Sequence, residues 1–355
     1  MTATARARVD DLVRFLCSPV CAGRLPDSPE GIAARHRIVD EFRAAGLQPG
    51  GTDGYLQPVP RCGANVLGEL PGRGPLAART IIVAAHYDHL GKLPHGQAFW
   101  GADDNAAAVA ILVEVARSLA AGPADGRRVI FAAYDGEEQP HFLHSTMGSM
   151  YHAAHPTAPL AGVDMMICMD LCGHAIGPAG LPDEIRNSLF VLGAELSPGT
   201  AAHVDAAAAP RGVHPRRVDL DVLPPLSDYH AFRSAGVPVL FLTCGRWQHY
   251  HQPTDTPDRL DLTKIVATAE YLTRLTARLR TSDKAPVQLK NTRDDASTIA
   301  TLRSLAATLA PYSPHAAAAL RQLDALAAQA ARRPLDESGR ASIAALVHAL
   351  EHALA

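Results

Sequence analysis

Phenylalanine, tyrosine and tryptophan make up only 5% of the 355 residues, so a large core must be assembled from aliphatic side chains and close helix contacts. Long apolar runs are missing as well. No stretch is long enough to span a bilayer, and the opening "MTATARARVDD" lacks the apolar centre of a signal peptide, which makes a cytoplasmic location the expectation. Neither sign of charge dominates: 33 Lys and Arg stand against 36 Asp and Glu, for a net charge of −3. That balance carries no electrostatic footprint for nucleic acid or an anionic membrane, and leaves small neutral or mixed peptides as compatible partners. Six cysteines in a chain of this length do not make a disulfide scaffold. The loose pair Cys17 and Cys21 lies far in sequence from any other ligand pair and is read as structural.

What is present is a set of short segments that each end an apolar run with a residue able to ligate a metal. They are His86-Tyr87-Asp88, Gly101-Ala102-Asp103-Asp104-Asn105, Gly136-Glu137-Glu138, Met169-Asp170-Leu171 and Tyr250-His251-Gln252-Pro253. One such segment is ordinarily a solvated strand end. Five in this order give two imidazoles and three carboxylates, N and O donors that suit zinc and neighbouring first-row divalent metals without a thiolate. Asp88, two residues past His86, is positioned to orient the imidazole through its other ring nitrogen. Cys168 and Cys172 flank Asp170 at a spacing of two, which in an extended strand turns all three side chains to one face.

Apolar runs at 65–70, 80–85, 128–134, 163–169, 189–192 and 238–242 are continuous rather than alternating, as in strands covered on both faces. Helical stretches at 106–121, 228–235 and 262–281 lie between and after them, and an amphipathic helix runs from the cap Ser28-Pro29 to Gly46. The alternation predicts a three-layer α/β/α sandwich around a mixed, mostly parallel sheet. In such sheets ligands collect beyond the carboxyl ends of strands, where His86, Glu137, Glu138 and Asp170 fall. Residues 1–281 are read as the main domain, 282–295 as a linker and 296–355 as a C-terminal helical extension. Alanine- and leucine-rich segments at 296–310, 314–331 and 337–354 form an appendage packed on the core, with a homodimerisation element or a lid over the site as alternatives.

The motifs "NVLGELPG", "IIVAAHYDHLG", "GADDNAAAVA", "IFAAYDGEEQPHF", "MICMDLCG", "SDYHAFRSAGVPVLFL" and "YHQPTDTPDRLD", in this order, resemble the zinc-dependent aminopeptidases of the glutamate-carboxypeptidase-like metallopeptidase family. The resemblance covers roughly residues 16–279. It implies two Zn2+, or Co2+ or Mn2+ in their place, held by His86, Asp103, Glu138, Asp170 and His251, with Asp103 as the bridging carboxylate and a cis peptide between Asp103 and Asp104. It further implies Glu137 as general base and Tyr250 as a donor to the developing oxyanion, although a core tyrosine is the competing reading of Tyr250. The activity implied is metal-dependent removal of N-terminal residues. A glutaminyl-cyclase-like aminoacyltransferase with one zinc is the rival on the same scaffold, because Asp135-Gly136-Glu137-Glu138 also resembles that branch. An inactive adaptor is a third reading. The chain has Ala106-Ala107-Ala108 where many relatives read Ala-Ser-Gly, and Tyr229 within the Ser-Asp-His motif, which touches specificity rather than the ligand set.

Overall fold

A computed structural model describes residues 3–283 and 292–354. Nine strands form one mixed sheet: β1 (Gln48–Pro49), β2 (Leu56–Val59), β3 (Gly63–Leu70), β4 (Thr80–His86), β5 (Arg128–Tyr134), β6 (Val163–Met169), β7 (Ser188–Leu192), β8 (His214–Val218) and β9 (Val239–Thr243). Their order is β1-β3-β5-β4-β6-β9-β7-β8, with β2 beside β3. The four central strands β5, β4, β6 and β9 are mutually parallel, and antiparallel pairs join them to the flanks. All seven residues of β4 and all seven of β6 are buried. That is the two-sided burial the continuous apolar runs require.

Successive residues of each central strand feed opposite faces. On β4, Ile81, Val83 and Ala85 join the larger apolar cluster, while Ile82 and Ala84 join the smaller one. The larger face is covered by α1 (Ala3–Leu16), α2 (Pro29–Ala44), α3 (Ala107–Ala120) and, further along the chain, α8 (Leu262–Thr281). The helices α4 (Gly148–Ala154), α5 (Asp183–Arg186), α6 (Thr200–Ala206) and α7 (Tyr229–Ser234) are short, and α7 places Ala231 and Phe232 on the smaller face. This is the expected three-layer sandwich. Ser28 caps α2 by accepting the Gly31 N–H at 3.0 Å, with Pro29 in the first turn.

The extension consists of α9 (Asp295–Leu309), α10 (Pro314–Ala330) and α11 (Glu337–Leu354). Most of the linker expected over 282–295 lies outside the described residues. The three helices do not build a core of their own: Leu302, Leu305, Leu323, Ile343 and Leu350 belong to the same apolar cluster as Ile81, Val83 and Ala85 of β4. On α9, the Thr301 hydroxyl donates to the Arg217 carbonyl at 2.9 Å and the Thr298 hydroxyl accepts the Asp219 N–H at 2.8 Å. The outer edge of β8 is therefore hydrogen-bonded by helix side chains.

The expectation that Cys168, Asp170 and Cys172 share a face is corrected here. β6 ends at Met169, and Leu171 has a φ of 53°, so the alternation stops before Cys172. Cys168 lies in the smaller cluster and Cys172 in the larger. Burial raises both thiols well above the ordinary range, consistent with packing rather than ligation.

Candidate metal centre and active site

His86 is the last residue of β4, and Asp170 follows the last residue of β6. Adjacent parallel strands ending together bring the two side chains to one rim, with His86 Nε2 3.5 Å from Asp170 Oδ1. The third member is Asp104, whose Oδ1 lies 3.3 Å from His86 Nε2. Its other oxygen, Oδ2, is 3.2 Å from His251 Nε2. That same nitrogen is 3.2 Å from Glu138 Oε2, and Glu138 Oε1 is 3.0 Å from His89 Nδ1. Asp104 thus stands between two groups, one with His86 and Asp170, the other with Glu138, His251 and His89.

The bridging position is the main correction to the sequence expectation. Asp103 does not reach the cluster. Its carboxylate accepts the Gly173 N–H at 2.6 Å and pairs with His174 Nδ1 at 2.7 Å. The physical reason is the irregular turn Ala102–Ala106, in which Asp104 and Asn105 leave helical geometry and the cis peptide joins Asp104 to Asn105, not Asp103 to Asp104. Asp255 holds that turn: its two oxygens accept the N–H groups of Asp103 and Asp104 at 3.0–3.1 Å. Burial, with Asp103 beside it, pushes Asp255 up to about 8.

Asp88 also acts differently from expectation. His86 Nδ1 is 3.6 Å from its carboxylate, beyond a hydrogen bond. Instead Asp88 accepts the N–H groups of Glu137 and Glu138 at 3.0 and 3.1 Å, so it fixes the backbone of the acidic pair. The pair then faces two ways. Glu138 points to His251 and His89, and Glu137 reaches within 3.8 Å of His86 Nε2.

Several polar atoms in this cluster are buried without a hydrogen-bond partner among the described residues: both ring nitrogens of His86, Nε2 of His89, Oδ2 of Asp104 and Oδ1 of Asp170. Leaving such atoms unpaired is costly. Of these, His86 Nε2 faces Asp104 and Asp170, and the ligand atoms of His86, Asp104 and Asp170, like those of His89, Asp104 and Glu138, lie within 4.8 Å of one another. Buried N and O donors gathered this closely fit a divalent cation. The protonation pattern says the same. Burial would lower His251, yet Asp104 and Glu138 raise it to about 10, so these carboxylates favour positive charge beside them. Burial, reinforced by Asp170 and Glu138, raises Glu137 well above the carboxylate range, with His86 opposing.

The cluster opens into a cavity of about 280 Å³, whose walls include Glu137, Phe142, Leu226, Phe241, Arg246 and Tyr250. Tyr250 stacks on the His251 ring at 3.8 Å between centroids, so it is a cavity residue rather than a core tyrosine. The sequence reading overlooked His89, His174 and Asp255, and placed Asp104 beside the bridge rather than in it. His89 carried a signal, three residues past His86 in the same motif, while Asp255 sat unremarked between Thr254 and Thr256.

Comparison with known proteins follows the same lines. Residues 65–276, more than half of the chain, match the profile of Peptidase family M28. The chain belongs to peptidase family M28. It is similar to the uncharacterized protein YfbL of Escherichia coli strain K12, 29% identical over 279 residues that cover 73% of this chain and 83% of that one. It is also similar to a glutaminyl-peptide cyclotransferase of Boiga irregularis, 27% identical over 302 residues covering 73% and 78%. Among solved structures, an aminopeptidase from Aneurinibacillus sp. strain AM-1 superposes with a TM-score of 0.58 at 14% identity, covering 81% of this chain and 97% of that one. A glutaminyl cyclase from Porphyromonas gingivalis gives 0.56 at 19% identity, covering 77% and 96%. These likenesses establish the fold of this M28 chain, a metallopeptidase-family scaffold also seen in proteins named as cyclases.

Proposed function

We propose that this M28 chain is a two-metal aminopeptidase that hydrolyses the first peptide bond of short peptides. What carries the reading is Asp104, one carboxylate shared between a His86–Asp170 group and a Glu138–His251 group. A single ion in the Glu138–His251 group would leave His86 Nε2 and Asp170 Oδ1 buried and unpaired. His86, Asp104 and Asp170 would hold one ion, and Asp104, Glu138 and His251 the other, with zinc the family's usual metal. Bound there, the ions would polarise the scissile carbonyl and supply a readily deprotonated water.

The chain's own residues do the rest. Glu137, facing the cavity and raised by burial, accepts the proton of the attacking water and delivers it to the leaving amine. Asp88 keeps Glu137 and Glu138 in their opposed orientations through the two backbone N–H groups. The Tyr250 hydroxyl, at the cavity wall beside His251, donates to the oxygen on which charge develops. Apolar walls from Phe142, Leu226 and Phe241 exclude water around the bond being broken.

The relatives named as glutaminyl-peptide cyclotransferases support a second reading, ring closure of an N-terminal glutamine with loss of ammonia. Metal analysis of the purified chain, combined with mass spectrometry of products from a leucyl peptide and a glutaminyl peptide, separates the two. Two equivalents of metal and release of free leucine are expected. One equivalent together with a pyroglutamyl product would overturn the hydrolase reading in favour of the cyclase.

A further inference from the structure

Of the residues around the cluster, His86 and Asp170 stand at strand ends, and Glu138 sits in the loop after β5 where Asp88 holds its N–H. His251 has no such support. It lies eight residues beyond the end of β9, at a φ of 55°, in a segment whose course depends on what grips it.

Downstream of His251 the segment is anchored by Asp255, which accepts the Asp103 and Asp104 N–H groups; upstream, two grips hold it. Trp247 stacks on His174 at 4.7 Å and an interplanar angle of 11°, and His174 is in turn bonded to Asp103. The second comes from the far end of the chain. Glu351 on α11 accepts the backbone N–H of Arg246 at 3.0 Å, the Arg246 Nε–H at 3.1 Å and the Arg246 Nη2–H at 2.8 Å. One carboxylate thereby fixes both the backbone and the side chain of Arg246, a charge-assisted, two-pronged contact. From Arg246 the segment continues in tight turns: Tyr250 N–H donates to the Trp247 carbonyl and Gln252 N–H to the His249 carbonyl, each at 3.0 Å. His251 lies inside those turns. Glu351 and Arg246 also line the cavity beside Tyr250 and His251, and Glu351 belongs to a helix outside the residues that match the family profile.

We propose that Glu351 is a positioning residue for the second half of the metal centre: through Arg246 it holds the segment that presents His251 and Tyr250, so the last helix of the chain completes the site. The inference rests on the two-metal reading for its account of which ion is affected. Removing the tether leaves His86 and Asp170 in place at their strand ends and Asp104 in the turn that Asp255 braces, while His251 must find its position from a looser loop. Contacts made directly to a metal ligand are typically worth 10- to 100-fold in metal affinity, and a tether acting through the backbone is expected at the low end of that range.

The test is calorimetric titration of the metal-free full-length protein with Zn2+, for wild type, Glu351→Ala, Glu351→Gln, His251→Ala and the double variant Glu351→Ala/His251→Ala. Two binding steps are expected in wild type. Glu351→Ala should weaken one of them about tenfold and leave the other unchanged. Glu351→Gln, which keeps an acceptor for the Arg246 N–H, should fall between. In the His251→Ala background the Glu351→Ala change should have no further effect, a non-additivity that a purely structural contact would not produce. Equal weakening of both steps, or full additivity in the double variant, would overturn the proposal. Should wild type take up a single equivalent, the two-metal reading fails by itself. The tether is then judged by the same cycle on that one step: non-additivity with His251→Ala upholds it, and additivity or no effect overturns it.

Discussion

Asp103 and Asp104 are chemically identical neighbours, yet one bridges the cluster while the other braces Gly173 and His174. Their substitutions should therefore differ. Asp104→Asn is expected to abolish uptake of both metals, read by metal analysis after dialysis. Asp103→Asn, which can still accept the Gly173 N–H, should retain them at some cost in melting temperature. Loss of both metals from the Asp103 variant alone would reverse the assignment. Glu137→Gln should keep the metals and lower turnover of a leucyl peptide by roughly 10²–10⁴-fold, the usual contribution of general acid–base catalysis.

Away from the centre, burial raises Glu195 from 4.5 to about 7, and its Oε1 accepts the Leu220 N–H at 2.9 Å. Between these values the folded protein holds a proton that the unfolded chain has released. Stability should then fall as pH rises through the window, by at most about 3 kcal/mol. Glu195→Gln keeps the acceptor and cannot ionise, so urea melts should show it more stable than wild type at pH 8 and no more stable at pH 4.5. An equal gain at both pH values would exclude Glu195 as the cause.

At the scale of elements, the strands that carry ligands were legible because each is a continuous apolar run closing on a polar residue. The helix expected at 262–281 appears as α8 with those bounds. β8 was not legible: His214-Pro215-Arg216-Arg217-Val218 has no apolar run, since an edge strand needs only one buried face. α1 did carry a signal, with Val9, Leu12, Val13 and Leu16 buried at helical spacing, but its polar start was read for targeting rather than for structure. The choice between Asp103 and Asp104 was beyond sequence reasoning, because it depends on the backbone of one turn.

The loops between these elements are gathered by Arg24. This fully buried guanidinium donates to the carbonyls of Leu16, Tyr87, Trp100 and Gly101 at 2.6–3.0 Å, joining the end of α1 to the segment after His86 and the one before Asp104. Arg24→Met would leave the carbonyls of Leu16, Tyr87 and Trp100 without this donor, and should cost about 3 kcal/mol in urea unfolding. Arg24→Lys should rescue little of it, since an ammonium cannot reproduce the planar fork. Near-complete recovery in the lysine variant would mean that charge rather than geometry matters there.

For the whole molecule, the three C-terminal helices share the main core, and α11 brings Glu351 to the cavity wall. A chain ending at Thr281 would uncover the apolar surface now packed against Leu302, Leu305 and Leu350. It is expected to sediment as aggregate or fail to accumulate in soluble form, rather than behave as a smaller active enzyme. A soluble, monomeric truncation that still binds two metals would show that the extension is dispensable.

The contact of α9 with β8 gives that outcome a particular form. A sheet edge is a row of backbone donors and acceptors that recruits another strand unless something occupies it. Thr298 and Thr301 occupy it with hydroxyl groups, which satisfy single peptide groups but offer no continuing ladder. The helix is thus a stopper on sheet growth. Replacing both threonines with valine would keep the helix over the edge but leave the Arg217 carbonyl and the Asp219 N–H without these partners. Urea melts should then show a loss of stability while light scattering still reports a monomer; strand recruitment through β8 requires that α9 itself be lost.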